Sequence, residues 1–318
     1  VFSEFSLDSQ ETVEIPKFKV FTSHLQLGFD PGQPERMGVS EEIVQFYNRS
    51  ERHAAGLGAQ IMNTCTPYQV GNIPTRGEHC AWMESSAVVY CNSVLGARTN
   101  TEGRESTGAA MLTGRIPYWG YHLDENRRAT HVVELDIEVE SVQDWGLLGY
   151  FIGEHVQERV PVVHSRRGIS REVLRYGEAE RRATYEKINT TGKDAEVQYV
   201  MLGCPHYTIE QIWEAAQLIE GRKVHPDCEL WIFTPRAIKS LADRNGYTKI
   251  IEDAGGIIMS DSCSAMSRAV PKGTKTVALD SAKQAHYLPA ILGVQAWFGS
   301  TAECIDAACT GRWNGGYA

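Results

Sequence analysis

The stretch VQYVMLGCPHYTIEQIWEAAQLIEG (197–221) determines how the carboxyl-terminal half of this 318-residue chain folds. Residues 197–203 are an apolar run of strand length, and a helical pattern begins at Thr208. Cys204 lies between the two, where the strand pattern ends. A strand followed by a helix of this length predicts one βαβ unit of a parallel sheet.

The same alternation continues on both sides of this stretch. Further strands are predicted at ELWIFTP (229–235), GIIMSD (256–261) and TVALDS (276–281), with helical patterns between them. In the first half of the chain, the pattern favours helices over about 79–95 and 170–187. The fold class that this order predicts is α/β with parallel sheets.

Two α/β lobes are expected from the length of the chain. The first covers residues 1–190, and the second covers residues 191–318. The polar stretch KINTTGKDAE (187–196) is the expected boundary. The last helix, at about 301–310, is expected to pack back on the first lobe.

Composition excludes some classes of function. The net charge of −9 argues against nonspecific nucleic-acid binding, which needs a basic face. No run of 18 apolar residues indicates a membrane-spanning helix, so no membrane partner is expected. The first 20 residues lack the basic-then-apolar pattern of a signal peptide, which favours a cytoplasmic location.

Three of the eight cysteines follow predicted strands directly: Cys65, Cys204 and Cys263. In an α/β fold the carboxyl ends of strands converge on the crevice where ligands bind. Three thiols delivered there suggest one iron or iron–sulfur centre with a coordination position left for substrate. The alternative is three unconnected buried cysteines, which behave as small hydrophobic residues. No CxxC motif is present to support a zinc-ribbon or thioredoxin interpretation.

The segment GEHCAWMESSAVVYCNSVLGARTNTEG (77–103) is unusually polar for a helical pattern so rich in Ala and Val. A bound substrate with several oxygens would satisfy these polar groups, and so would hydrogen bonds within the protein. Arg98, Thr99 and Asn100 follow the predicted helix end, where a carboxylate clamp is possible. Lys283 starts another helical pattern, beside Ser281 as a possible N-cap.

Four ordered blocks of this chain resemble the aconitase X family, a branch of the aconitase superfamily. They are CTPYQVGNIPTRGEHCAWMESSAVVYCNSVLGARTN (65–100), LGCPHYTIEQI (202–212), SDSCSAM (260–266) and DSAKQAHYLPAILGVQAWFGSTAECIDAACTGRW (280–313). The similarity extends from about residue 18 to residue 313. One departure is Glu102-Gly103-Arg104, where many family members read EGG.

The resemblance implies an aconitase-like fold, with parallel βαβ lobes that enclose a metal site in the cleft. It implies a 2Fe–2S or 4Fe–4S cluster or mononuclear iron, ligated by Cys65, Cys204 and Cys263. It also implies two sets of residues near the substrate. The expected catalytic residues are Glu78, His79, Glu84, Ser85 and Lys283, and the expected substrate-binding residues are Ser86, Asn92, Arg98, Thr99 and Asn100.

The activity implied is the dehydration of a small hydroxy acid by a hydro-lyase. The expected substrate is cis-3-hydroxy-L-proline, and phosphomevalonate is the alternative, for which Arg76, Arg104 or Arg166-Arg167 could supply the extra positive charge. In the wider superfamily the base is a serine on a small swivelling domain. This chain shows no obvious segment for it, so a separate small subunit is expected as partner. A non-catalytic iron–sulfur binding protein is a third interpretation.

Overall fold

The computed structural model describes residues 14–164 and 172–317. The chain divides into two compact units. The first, whose described part begins at residue 14, runs to Asn126 and includes Thr234–Leu241 and Met259–Ser267. The second comprises Arg127–Phe233, Ala242–Ile258 and the chain from Arg268 onward. Neither compact unit begins or ends at residue 190. The predicted two-lobe division stays a prediction.

Strands and helices alternate along the described residues. The strands are β1 Thr22–Ser23, β2 Ala59–Gln60, β3 His131–Leu135, β4 Pro161–His164, β5 Glu172–Tyr176, β6 Tyr199–Leu202, β7 Glu229–Thr234, β8 Ile257–Ser260, β9 Thr276–Leu279 and β10 Gln295–Phe298. The helices are α1 Glu41–Leu57, α2 Ser85–Ser93, α3 Arg104–Thr113, α4 Val142–Val156, α5 Glu178–Ile188, α6 Ile209–Ile219, α7 Arg236–Arg244, α8 Tyr247–Asp253, α9 Ser264–Ser267, α10 Ala282–Leu292 and α11 Thr301–Thr310.

A five-stranded sheet has the order β10-β9-β6-β7-β8, and the β10–β9, β9–β6 and β6–β7 pairs are parallel. Strand β6 is buried along its whole length, as expected for a strand covered on both faces. The α/β class with parallel sheets is therefore confirmed. The strand order reverses between β6 and β9, and such a switch point is where open α/β sheets bind ligands.

Helix α6 shows why the 197–221 stretch folds as predicted. Its N-cap is Thr208, whose hydroxyl accepts a hydrogen bond from the Gln211 amide at 3.2 Å. The Gln211 side chain accepts one in return from the Thr208 N–H at 3.0 Å. This reciprocal pair satisfies amide groups that the first turn leaves without intrahelical partners. One face of the helix then buries Ile212, Ala215, Ala216 and Ile219.

A second parallel sheet, with the order β4-β3-β5, lies in the second unit. Its core includes the fully buried Val133 and Tyr176 together with Leu148 and Phe151 of helix α4. The helix predicted over 170–187 was wrong for residues 172–176, which pair with β3 as strand β5. Gly177 separates this strand from helix α5, which begins at Glu178. The first two residues of that predicted helix lie outside the described part of the chain.

The helix predicted over 79–95 is shorter than expected, because only Ser85–Ser93 is helical. Residues before it pair with the backbone of the GARTN segment instead, through the bridges His79–Arg98 and Trp82–Thr101. The last helix, α11, packs against α6, β6 and β9 within the second unit. Among the described residues, no helix combines the length and apolar character needed to cross a membrane.

Gly203 connects β6 to Cys204 in a conformation with φ of +93°, which L side chains rarely adopt. A Cβ there would also clash with the carbonyl oxygen of Phe233, which already accepts a hydrogen bond from the Tyr207 N–H at 2.9 Å. The route of the chain from β6 to Cys204 therefore requires glycine.

We predict that Gly203→Ala lowers the free energy of unfolding by about 2–5 kcal/mol, the sum of left-handed strain and overpacking. The control is Gly221→Ala, which has a φ of +74° but no atom within 4 Å of its Cβ, so only the strain of about 1–2 kcal/mol applies. Urea unfolding of both variants is the measurement. Equal losses in the two variants would contradict the predicted clash.

Candidate active site

The first unit contains a cavity of about 980 Å³. Three of the predicted catalytic residues, Glu78, His79 and Glu84, line it. Thr64 and Met266 also line it, one and three residues away in sequence from Cys65 and Cys263. The volume is at the upper end of what small-ligand sites use, so a hydroxy acid can be accommodated.

Cys65 and Cys263 belong to the first unit, and both are buried free thiols. Cys65 precedes a single 3-10 turn at Pro67–Gln69, and Cys263 immediately precedes helix α9. The carbonyl of Cys263 accepts hydrogen bonds from Met266 N at 3.1 Å and from Ser267 N at 3.0 Å. Cys263 lies between the end of strand β8 at Ser260 and the start of helix α9, in line with the prediction. Cys65 lies five residues beyond the end of the short strand β2, in the approach to the 3-10 turn.

Cys204 belongs to the second unit, two residues after β6, on one side of the switch point. Gln284, in the first turn of α10, donates a hydrogen bond from its Nε2 to the Cys204 sulfur at 2.9 Å. Ser281 caps that helix by accepting from the Gln284 N–H at 3.3 Å. The amide thus holds the Cys204 sulfur in a defined orientation.

The donor chemistry of these three cysteines fits an iron centre, because free thiolates are the usual ligands of iron–sulfur clusters. The amide donor on Cys204 is the kind of neighbour that orients a metal ligand. Two of the thiols belong to the first unit and one to the second. Within residues 14–164 and 172–317, no group of three or more His, Cys, Asp or Glu side chains is arranged to hold a metal ion. The shared metal site stays a prediction.

His79 forms a pair with His122, a residue that the sequence analysis did not single out. Their Nδ1 atoms are 2.9 Å apart, and the rings stack with centroids 5.1 Å apart. One of the two nitrogens must donate and the other accept, so the pair holds a single shared proton at this position. His122 is fully buried, whereas His79 is exposed and lines the cavity.

The side chains of the GARTN segment make hydrogen bonds within the protein. Arg98 donates to the His122 carbonyl at 2.8 Å and to Asp124 at 2.5 Å. Asn100 accepts from the Tyr121 N–H at 2.7 Å. These bonds hold the segment around 119–124, which carries His122. Substrate binding by Arg98 and Asn100 stays a prediction.

Thr99 and Asn92 also form hydrogen bonds within the protein. The Thr99 hydroxyl accepts from the Trp82 N–H at 3.0 Å. The Asn92 amide donates to the Thr99 carbonyl at 2.9 Å and to the Val88 carbonyl at 3.0 Å. Of the alternatives for this polar segment, internal hydrogen bonding therefore accounts for these two residues in the structure.

The other predicted site residues lie in the first turns of helices α2 and α10 or in the segment before α2. Glu78 accepts hydrogen bonds from the Thr75 N–H at 2.9 Å and lies exposed at the cavity. Glu84 precedes helix α2 and accepts from the Ser85 hydroxyl at 3.3 Å. Ser86 lies in the first turn of α2, and Lys283 lies in the first turn of α10 in the second unit.

A buried carboxyl group near Cys204 was not predicted. Asp280 follows β9, on the other side of the switch point, and accepts hydrogen bonds from the Tyr207 hydroxyl and, at 3.1 Å, from Thr301. Burial raises the pKa of Asp280 to about 6, against the lowering effect of these two donors. The only sequence signal that could have pointed to Asp280 is its position, as an acidic residue at the end of an apolar strand.

Residues 6–125 match the first domain of aconitase X, and residues 197–310 match its third domain. The chain belongs to the aconitase X family, and this membership makes it an enzyme of the hydro-lyase class.

Named relatives include two kinds of dehydratase. The phosphomevalonate dehydratase large subunit of Methanocaldococcus jannaschii is 34% identical over 91% of this chain and 82% of its own length. The cis-3-hydroxy-L-proline dehydratase of Pseudomonas aeruginosa is 30% identical over 98% of this chain and 60% of its own length. The solved structure of Thermococcus kodakaraensis aconitase X, in its holo form, aligns with a TM-score of 0.80 and 28% identity, over 92% of this chain and 82% of that one. The predicted aconitase-like fold is confirmed.

We predict that Asp280 makes folding stability depend on pH between about 4 and 6. Its raised pKa means that the folded state binds its proton more tightly than the unfolded state. The stability that it contributes is therefore present below pH 4 and is lost as the pH rises through 6, by on the order of 2–3 kcal/mol. Asp280→Asn removes this dependence.

Chemical unfolding of the parent and the variant at pH 4, 5, 6 and 7 measures it. Asp306→Asn is the control, because the Asp306 side chain is 43% exposed and pairs with Arg222 at the surface. Parallel pH curves for the parent and Asp280→Asn would show that the Asp280 carboxyl titrates normally.

Proposed function

We propose that this chain is the large, catalytic subunit of a hydro-lyase that eliminates water from a small hydroxy acid. The observation that carries the proposal is the first-unit cavity, which is lined by Glu78, His79 and Glu84 and by Thr64 and Met266 of the Cys65 and Cys263 segments. The reaction breaks one C–H bond and one C–OH bond, forms a carbon–carbon double bond and releases water. It needs a group that accepts the proton and a group that assists the hydroxyl.

His79 is the proposed proton carrier in the first-unit cavity. Its Nδ1 is held by His122, so the other ring nitrogen is left to exchange a proton in the cavity. Glu78 and Glu84 supply further carboxylates to the lining of the same cavity. A positioned acid or base of this kind contributes about 10²–10⁴ in rate. The other proposed neighbours of the substrate are Ser85, Ser86, Asn92, Thr99 and Lys283.

An iron-containing group is the proposed cofactor, either a 2Fe–2S or 4Fe–4S cluster or mononuclear iron, with Cys65, Cys204 and Cys263 as its ligands. The support is the thiol donor set, the Gln284 hydrogen bond to Cys204 and the holo form of the solved relative. Such a group, when bound, supplies a Lewis acid for the leaving hydroxyl.

Phosphomevalonate is the substrate that we rank first, ahead of cis-3-hydroxy-L-proline, which the sequence alone favoured. Two relatives named for phosphomevalonate are 34% and 36% identical, while two named for hydroxyproline are 32% and 30% identical. Arg104 and Arg115 line the cavity and could bind a phosphate, and Arg76 is not among the lining residues. Arg166 and Arg167 lie outside the described residues.

A small subunit is the proposed partner, and the cytoplasm is the proposed location. The support for the partner is that relatives covering most of this chain are named as large subunits. Such a partner would bring the remaining proton acceptor and exclude water from the reaction.

We predict that His79→Asn lowers kcat by about 10²–10⁴, because it removes a positioned proton carrier. The assay uses the iron-loaded chain with its small-subunit partner and follows water elimination from both substrates. His225→Asn, a half-exposed histidine of the second unit, is the control. Unchanged kcat in His79→Asn would exclude His79, and iron binding without turnover of either substrate would favour the non-catalytic interpretation.

We predict that Arg104→Ala separates the two substrates. Loss of one charge-assisted hydrogen bond to phosphate costs about 1.5–3 kcal/mol, so kcat/KM for phosphomevalonate falls about 10- to 100-fold. The value for cis-3-hydroxy-L-proline stays within about twofold, because that substrate has no phosphate. Arg49→Ala, an exposed arginine on α1 outside the cavity, is the control. Equal losses for both substrates would contradict a phosphate contact at Arg104.

A further inference from the structure

Four polar side chains of the first unit form a closed group that we call the polar clasp: Glu51, Asn63, Arg236 and Asp261. They come from helix α1, the Cys65 loop, the start of helix α7 and the Cys263 loop. Asn63 is fully buried and Asp261 is 1% exposed. Burying polar groups this deeply is costly unless each is hydrogen-bonded, so their partners need explanation.

The Asn63 amide bridges two carboxylates. Its Nδ2 donates to Glu51 Oε1 at 2.5 Å, and the same side chain hydrogen-bonds the Asp261 carboxylate. Its Oδ1 is 2.9 Å from Nδ1 of His24, which must donate because an amide oxygen only accepts. The orientation of the amide is thereby fixed on three sides.

Arg236 closes the group from the other side. Its Nε donates to Asp261 Oδ2, and its backbone N–H donates to Asp261 Oδ1 at 2.8 Å. Its guanidinium also lies 3.7 Å from Glu51 Oε1. Both carboxylates of the clasp therefore meet the same cation and the same amide.

Asn63 and Asp261 occupy matching positions, each two residues before a cysteine. Both have left-handed backbone conformations, with φ of 45° and 61°. Such a conformation is uncommon outside glycine, so both backbones adopt a rare geometry two residues before a thiol. The backbone of Asp261 is further held by its N–H to the Thr234 carbonyl at 3.0 Å and by its carbonyl, which accepts from Leu27 N at 2.7 Å.

We infer that the polar clasp positions Cys65 and Cys263, by fixing the two loops that carry them against each other. The geometric link between the loops runs from Asn63 through Glu51 and Arg236 to Asp261. The inference rests on the proposed function in that it assigns the two thiols to one centre. Residues of this kind orient metal ligands without touching the metal, and their loss typically lowers metal affinity about 10- to 100-fold.

A purely stabilising role does not explain this choice of residues. Buried ion pairs are often no more stabilising than apolar side chains of the same volume. What a network of directed hydrogen bonds adds is a fixed loop geometry. The clasp provides this at the two positions that immediately precede the first-unit thiols.

The test measures thiol alkylation in the metal-free chain and ferrous ion binding in anaerobic solution. The variants are Arg236→Met, which removes the cation, and Asn63→Asp, which replaces the bridging amide with a third carboxylate. Arg222→Met is the matched control, since Arg222 pairs with Asp306 at 2.9 Å in the second unit and is similarly half-exposed. Peptide mapping after iodoacetamide treatment gives a separate rate for each cysteine.

The expected result is a severalfold faster alkylation of Cys65 and Cys263 in both clasp variants, with Cys204 unchanged as the internal reference. Ferrous ion affinity falls about 10- to 100-fold. Arg236→Lys, which restores the charge but not the forked geometry, recovers part of the loss. The control Arg222→Met matches the parent in both measurements.

Cys91 and Cys304, which are fully buried, report general loosening of the fold. If their alkylation rises together with that of Cys65 and Cys263, or if no rate changes in the clasp variants, the inference is overturned. These measurements use no substrate. Dehydratase activity is assayed separately. If the parent enzyme is inactive but the clasp variants change the thiol rates, the proposed function fails and the clasp inference stands. If the parent enzyme is active but the thiol rates do not change, the clasp inference fails and the proposed function stands.

Discussion

The buried carboxylate of Asp261 is the acceptor on which the local geometry of the first unit depends. It accepts from Arg236 through both side chain and backbone, and it is hydrogen-bonded to Asn63. Burial raises the pKa of Asp261, and the bonds from Arg236 and Asn63 act in the opposite direction. Three segments that are far apart in sequence meet at this one group, so each restrains the others.

The second unit positions its thiol by a different physical route. The reversal of strand order between β6 and β9 places Cys204 and Asp280 at neighbouring strand ends. Gln284 then reaches the sulfur from the capped first turn of α10. Cys204 follows β6 by two residues and Cys263 follows β8 by three. Gln284 contacts the Cys204 sulfur directly, whereas Asn63 donates a hydrogen bond to Glu51 within the polar clasp. The common feature is that each cysteine loop is built on hydrogen bonds with defined direction.

Local sequence patterns were enough to predict the parallel α/β class and the turn or helix after each of the three thiols. Thr208 and its capping partner mark a helix start that can be read from four consecutive residues. The segments 79–84 and 172–176 were assigned wrongly because their backbones pair with distant segments, which overrides helical periodicity. Gln284, Asn63 and Asp261 act on partners that sequence spacing does not reveal, since 80 residues separate Gln284 from Cys204. Only their residue types, amide and acid beside an apolar strand, could have drawn attention to them.

The make-up of the first unit has a consequence for biosynthesis. Its residues come from the chain up to Asn126 and from two short later segments. Thr234–Leu241 contains Arg236, and Met259–Ser267 contains Asp261. Domains generally fold as units during synthesis, amino-terminal parts first. Here the amino-terminal unit lacks its central cation and acid until the ribosome has passed residue 267. During synthesis, Asn63 and Glu51 therefore cannot pair with Arg236 and Asp261 until more than half of the polypeptide has been added after residue 63.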